Sequence, residues 1–171
     1  MLATIRLAEF RDVVAAGRIC QRVLAGKKPY QYELNIGEDG CLNLVAEVEG
    51  VIAGFVTIVL RRWNPVGPLL WQRVAPYIAF VGVLPEYQCH GIGTALIQAA
   101  VGEVTARCPV EPRVFLEHAP GSRARRLYEL LGFRTLSVIE VVSLTGLSTK
   151  TPVMCLELTH LARVSDRANS E

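Results

Sequence analysis

A chain of 171 residues, 51% apolar and 20% charged, has the composition of one globular domain that buries roughly two thirds of its unfolded surface. No apolar run reaches the about 18 residues a membrane span needs, and MLATIRLAEFRD carries charges where an export signal has a continuous apolar segment. A net charge of +2 with interspersed signs and no aromatic-basic pattern argues against a nucleic-acid partner, while five scattered cysteines without a C-x-x-C pair argue against a disulfide framework or a zinc site and fit a reducing cytoplasm.

In chain order, Ala3 to Ala8 alternates in part and predicts a short strand, and Val13, Val14, Gly17, Cys20, Val23 and Leu24 recur at helical spacing. Gly26 to Gly40 has no sustained period and reads as a loop or short helix. The run LNLVAEVEGVIAGFVTIVLRRW is rich in β-branched residues and divides at Glu49-Gly50, which predicts an antiparallel hairpin. NPVGPLLWQRVAP is a Pro-rich connection into an apolar strand from Tyr77 to Leu84, and a helix follows with Ile92, Leu96, Ala99, Ala100 and Val104 on one face. RVFLEH, Arg113 to His118, is a further strand. Ser122 to Leu131 is a helix with Ala124, Leu127, Tyr128 and Leu131 in a stripe and Gly132 as its C-terminal cap. FRTLSVIEVVSL and PVMCLELT form two last strands joined by TGLSTKT. The order predicts a mixed α/β fold. Residues 1–160 are read as one domain and 161–171 as a loose polar tail.

The stretch PEYQCHGIGTAL carries the sharpest signal. Gly91 and Gly93 stand between a strand and a helix, where bare backbone and the unpartnered first amides of the helix can hold an anion. A Walker loop fails, because Gly26-Lys27 is followed by Lys28 and not by Ser or Thr. A dinucleotide fingerprint also fails, since Leu96 stands where a small third residue is needed. Gln88-x-x-Gly91-x-Gly93 remains.

That pattern, in its strand-loop-helix setting, resembles the acetyl-CoA loop [RQ]-x-x-G-x-[GA] of the GCN5-related N-acetyltransferases, the GNAT family. Leu127-Tyr128 with Gly132-Phe133 resembles that family's L-Y-x-x-x-G-F signature. The resemblance implies a mostly antiparallel central sheet of about seven strands, helices on both faces, and strands splayed at the acetyl-CoA site. It implies that Gln88 and the backbones of Cys89, His90, Gly91, Ile92, Gly93 and Thr94 hold the CoA pyrophosphate, and that Val81 and Val83 meet the pantetheine amides. Gly82 between them is read as the bulge at which the strands part.

Direct acetylation of an amine asks for a deprotonated nucleophile, a polarised thioester and an acid for the departing thiolate. By resemblance Tyr128 is the acid, and Glu117 in Leu116-Glu117 is the base that draws a proton from the amine. Glu117 lies one residue closer to Tyr128 than the pattern has it, and an exposed strand glutamate is the alternative. His118 has a suitable pKa range or is structural. Gly121 stands where the family commonly has Asn; Ser122 substitutes for it or caps the helix. Arg123, Arg125 and Arg126 reach the 3′-phosphate of CoA or form a solvated helix face.

The acceptor is a small-molecule amine or the amine of a peptide or protein, and its choice is expected to lie in Gly26 to Gly40 and Trp63 to Pro76. The first offers Tyr30, Tyr32, Glu33, Glu38 and Asp39 to a cation; the second offers Trp63, Leu69, Leu70 and Trp71 as a pocket wall or the contact of a homodimer. A CoA-binding module without catalysis is the competing expectation.

Overall fold

The computed structural model describes residues 2–23, 40–63, 74–110, 113–142 and 148–158. Most of both acceptor segments, and the C-terminal tail, lie outside the described residues. The architecture is mixed α/β, a mostly antiparallel open sheet of seven strands with three α-helices. The chain divides into two compact units, Met1–Leu60 with Ile78–Glu103 and Arg61–Tyr77 with Val104–Glu171.

In the first unit β1 (Thr4–Leu7) pairs antiparallel with β2 (Cys41–Val48), Thr4 opposite Glu47 and Leu7 opposite Leu44. β2 pairs in turn with β3 (Val51–Trp63). Glu49 and Gly50, at φ +50° and +81°, make the tight left-handed turn that a two-residue hairpin loop requires. α1 (Val13–Val23) buries Ala16, Ile19 and Cys20, which pack with Val45 and Phe55 into one cluster. The chain is held at the entry to α1 by Arg6. Its guanidinium grips the buried Asp12 carboxylate at 2.7 and 3.0 Å and holds that carboxyl below its usual range, with the Glu9 amide adding a bond of 2.8 Å.

β4 (Val74–Val83) begins three residues before the predicted strand. The Pro-rich pattern puts Pro76 in the connection, yet a proline is tolerated near a strand's start, and the buried Ala75, Tyr77 and Ile78 extend the apolar run through it. α2 (Ile92–Arg107) buries Ile92, Leu96, Ala100 and Val104 as its spacing predicts, and also Ile97 and Val101 off that face. No helix among the described residues is long and apolar enough to cross a membrane.

In the second unit β5 (Arg113–Glu117) pairs antiparallel with β7 (Ser148–Glu157), which pairs antiparallel with β6 (Arg134–Val142). β7 starts four residues earlier than expected from its apolar run. Ser148 to Thr151 lie opposite Val142 to Ile139, so partner strand hydrogen bonds, and not local apolarity, extend the ladder into a segment that reads as a linker. α3 (Ala124–Leu130) is shorter than the stripe suggests, with a left-handed Gly121 before it and Gly132 after it.

Candidate active site

One candidate region is the turn between β4 and α2. Pro85 to Tyr87 form one short helical turn, and Gln88 leaves it in an extended conformation. Cys89 and Gly91 then both adopt positive φ, +62° and +79°. Glycine takes that backbone without cost, whereas Cys89 carries roughly 1–2 kcal/mol of steric strain. The first hydrogen bond of α2 runs from the Ala95 amide to the Gly91 carbonyl at 3.0 Å. The amides of Ile92, Gly93 and Thr94 therefore precede the ladder and stand at the positive end of the helix dipole. Cys89, His90 and Gly91 are exposed around them. This cradle of backbone donors fits a pyrophosphate. A Cβ on Gly91 would meet nothing within 4 Å, so its glycine is required by φ and not by space.

The Gln88 side chain has a definite task. Its Nε2 donates to the Val83 carbonyl at 2.9 Å, tying the turn to the end of β4. That carbonyl keeps a second lone pair for another donor. Val81 and Val83 are half-buried. Gly82 between them is smallest for a reason of packing: a Cβ there would stand 2.9 Å from the Phe55 ring and 3.0 Å from Ile19. Opposite it, a Cβ on Gly54 would lie 2.9 Å from the Gly82 carbonyl and 3.0 Å from Leu96. Gly54 escaped the sequence reading, although an isolated glycine inside a strand signals close backbone approach. Together the two glycines let β3, β4 and α2 draw close behind the turn.

A second candidate region, in the second unit, lies between β5 and α3. Glu117 is half-buried as the last residue of β5, paired with Val153. His118, the next residue, is 7% exposed, and so is Tyr128. Their ring centroids are 6.4 Å apart. His118 Nδ1 lies 2.9 Å from the Ala119 carbonyl. A carbonyl only accepts, so the proton in this contact is on Nδ1. Nε2 is itself buried and meets no donor among the described residues.

The motif around Tyr128 has a geometric reason. Gly132, at φ +90°, donates its amide to the Glu129 carbonyl at 3.0 Å, and Phe133 donates to the Tyr128 carbonyl at 3.0 Å. This pair of bonds is a Schellman closure, for which glycine is the preferred residue. It swings Phe133 back beneath the helix, where its ring stands 6.0 Å from that of Tyr128. Tyrosine, glycine and phenylalanine thus act as one device that sets the phenol. Burial pushes the Tyr128 phenol up to about 12.

The remaining candidates sort by contact. Ser122 Oγ accepts from the Ala124 amide at 3.2 Å, the capping role of the two expected for it. Arg123, Arg125 and Arg126 are exposed, and Arg125 pairs with Glu129 one turn on at 2.7 Å. Sequence inspection weighed His118 but had no means to show its buried, unpartnered nitrogen, because nothing in the order of residues places α3 against it.

The family model described as "Acetyltransferase (GNAT) family" matches residues 11–133. An N-alpha-acetyltransferase of Sulfurisphaera tokodaii is 30% identical over 138 residues, which is 79% of this chain and 82% of that protein. An L-2,4-diaminobutyric acid acetyltransferase of Nocardia farcinica is 34% identical over 104 residues, 60% of this chain and 50% of that protein, so the match spans about half of its length. The crystal structure of Arabidopsis thaliana NAA60 in complex with acetyl-CoA superposes with a TM-score of 0.74 at 19% identity, covering 92% of this chain and 99% of that one, a likeness of fold.

Proposed function

Because this chain belongs to the GNAT acetyltransferase family and moves an acetyl group from acetyl-CoA to an amine, we propose that its acceptor is the α-amino group at a polypeptide N-terminus. The support is the relative named for that activity, matched over most of its length, where the small-molecule enzyme is matched over half of its own.

The residue roles are assigned as the resemblance to the family implies them. The amides from Cys89 to Thr94 bind the pyrophosphate of the donor, and Gln88 braces the turn through Val83. The strand backbone at Val81 and Val83 aligns the pantetheine arm. Glu117 takes a proton from the incoming ammonium, which makes it a nucleophile. The amine nitrogen then attacks the thioester carbon, and the carbon–sulfur bond breaks as its electron pair moves to sulfur. Tyr128 gives that sulfur its proton. The observation that carries this reading is the Tyr128 phenol, nine-tenths buried, locked by the Gly132–Phe133 closure and kept protonated by burial at any ordinary working pH. We take residues 1–160 to act as a single domain, in a reducing cytoplasm that suits its free cysteines.

The test is thiol release from acetyl-CoA in the presence of peptides with free N-termini, the same peptides N-terminally blocked but bearing lysine, and 2,4-diaminobutyrate. Turnover confined to free N-termini is expected. Preference for either of the other two overturns the acceptor assignment, and CoA binding with no transfer to any amine would favour a module without catalysis.

A further inference from the structure

From Val74 to Gly102 the sequence runs through β4, the turn after it and into α2, and Glu86 is the one Asp, Glu, Lys or Arg along the way. A turn read as the seat of a pyrophosphate thus brings no cationic side chain of its own. It places a carboxylate three residues ahead of Cys89, the first of the amides assigned to the donor. Three residues of chain span at most about 11 Å, close to one screening length at about 0.1 M salt. A bare Glu86 would therefore repel the donor. It is not bare, because Arg22 in the last turn of α1 places Nη1 2.7 Å from Glu86 Oε1. That contact holds the Glu86 carboxyl below its ordinary range, so both partners are charged near neutral pH. Each side chain is about half exposed, 52% for Arg22 and 49% for Glu86, and an ion pair so placed adds little to stability. Its effect on charge beside the turn is larger. The guanidinium is held there from an element anchored by other means: Ile19 packs where a Cβ on Gly82 would intrude, and Val23 of α1 and Leu84 at the end of β4 join the same apolar cluster.

We propose that Arg22 is the charge-compensating residue of the donor turn: by pairing with Glu86 it cancels the carboxylate beside the turn and so sets the affinity for acetyl-CoA. Arg22 is a positioning residue in this role, since it acts through Glu86. The inference rests on the reading of Cys89 to Thr94 as the pyrophosphate seat. The Arg22–Glu86 pair is neutral in the parent chain. Arg22→Gln leaves one negative charge, Glu86→Gln leaves one positive charge, and the double variant is neutral again. Affinity for an anionic donor should follow that order. A pair that only braced the turn would behave otherwise: either single variant would break the brace, and the double variant would bind no better than they do.

Calorimetric titration of acetyl-CoA into the full chain at about 10 mM ionic strength tests this. A unit charge about 10 Å from a pyrophosphate in water changes affinity roughly threefold. Arg22→Gln should weaken binding about threefold and Glu86→Gln should tighten it by about the same factor. The double variant, and Arg22→Lys, which keeps the charge, should match the parent. At about 1 M salt, where the screening length is near 3 Å, the affinities should converge. Weaker binding in both single variants, equal affinity throughout at low salt, or a difference that survives about 1 M salt overturns the compensation. A parent chain that binds no acetyl-CoA overturns the reading of the turn itself, and this inference falls with it.

Discussion

The turn from Gln88 to Thr94 and the segment from Glu117 to Phe133 use different parts of the chain. In the turn the groups proposed to bind the donor are amides, and the side chains serve the backbone: Gln88 braces Val83, Gly91 supplies a left-handed φ, and Gly82 and Gly54 stay small so that strands and helix approach closely. Between β5 and α3 the reverse holds. There the backbone serves the side chains, since the Schellman closure through Gly132 and Phe133 exists to set the Tyr128 phenol, and the Ala119 carbonyl sets the His118 ring. A backbone site is damaged by changes of shape; a side-chain site is damaged by loss of one atom.

Tyr128→Phe should have the largest effect. Removing one oxygen should lower kcat by roughly 10²–10⁴-fold while the melting-point increase given by acetyl-CoA persists. A loss of acetyl-CoA binding of similar size would break the division between the two regions. Next in size is the pH dependence of stability. Burial raises the Tyr128 phenol from 10.0 to about 12 in the folded chain, so its contribution is complete below pH 10 and is lost as pH rises toward 12. At 1.36 kcal/mol per pKa unit this is on the order of 3 kcal/mol. Denaturant unfolding from pH 9 to 12 should show a shallower decline for Tyr128→Phe than for the parent. The buried Cys20 thiol, pushed up to about 11, adds the same slope to both proteins and cancels in the difference.

Gly82→Ala probes the turn region by shape. Its new methyl would press on the Phe55 ring and on Ile19, both fully buried, at a cost of about 1–3 kcal/mol. Stability should fall and KM for acetyl-CoA should rise, with kcat at saturation little altered. The smallest effect is expected for Gln88→Ala, which deletes the 2.9 Å bond to Val83. A loss of about 1 kcal/mol should raise KM for acetyl-CoA roughly fivefold, again with kcat preserved. Should either variant reduce kcat and leave KM alone, the turn takes part in chemistry and the contrast drawn here is wrong.

Much of the fold could be read from local pattern. The turn at Glu49-Gly50, the spacing of α2 and the cap at Gly132 are each specified by residues within a few positions of one another, and there the elements occur where the periodicity places them. The starts of β4 and β7 were not legible. Pro76 and the polar Ser148 to Thr151 argue locally against a strand; Pro76 is buried within one, and Ser148 to Thr151 join one because β6 lies opposite them.

The site divides along the same line. Gln88-x-x-Gly91-x-Gly93 and Tyr128 with Gly132-Phe133 were visible in the sequence, since a left-handed turn, a helix start and a helix closure are local events that only certain residues permit. What the sequence by itself determined is therefore the family and the local backbone of its two motifs, the left-handed turn before α2 and the closure after α3. Only the tertiary structure decided that Gln88 reaches Val83, that Gly54 and Gly82 are small for each other's neighbours, and that the buried His118 ring stands 6.4 Å from that of Tyr128. Those relations join residues on separate elements, and burial with its attendant loss of solvent arises only when the elements pack.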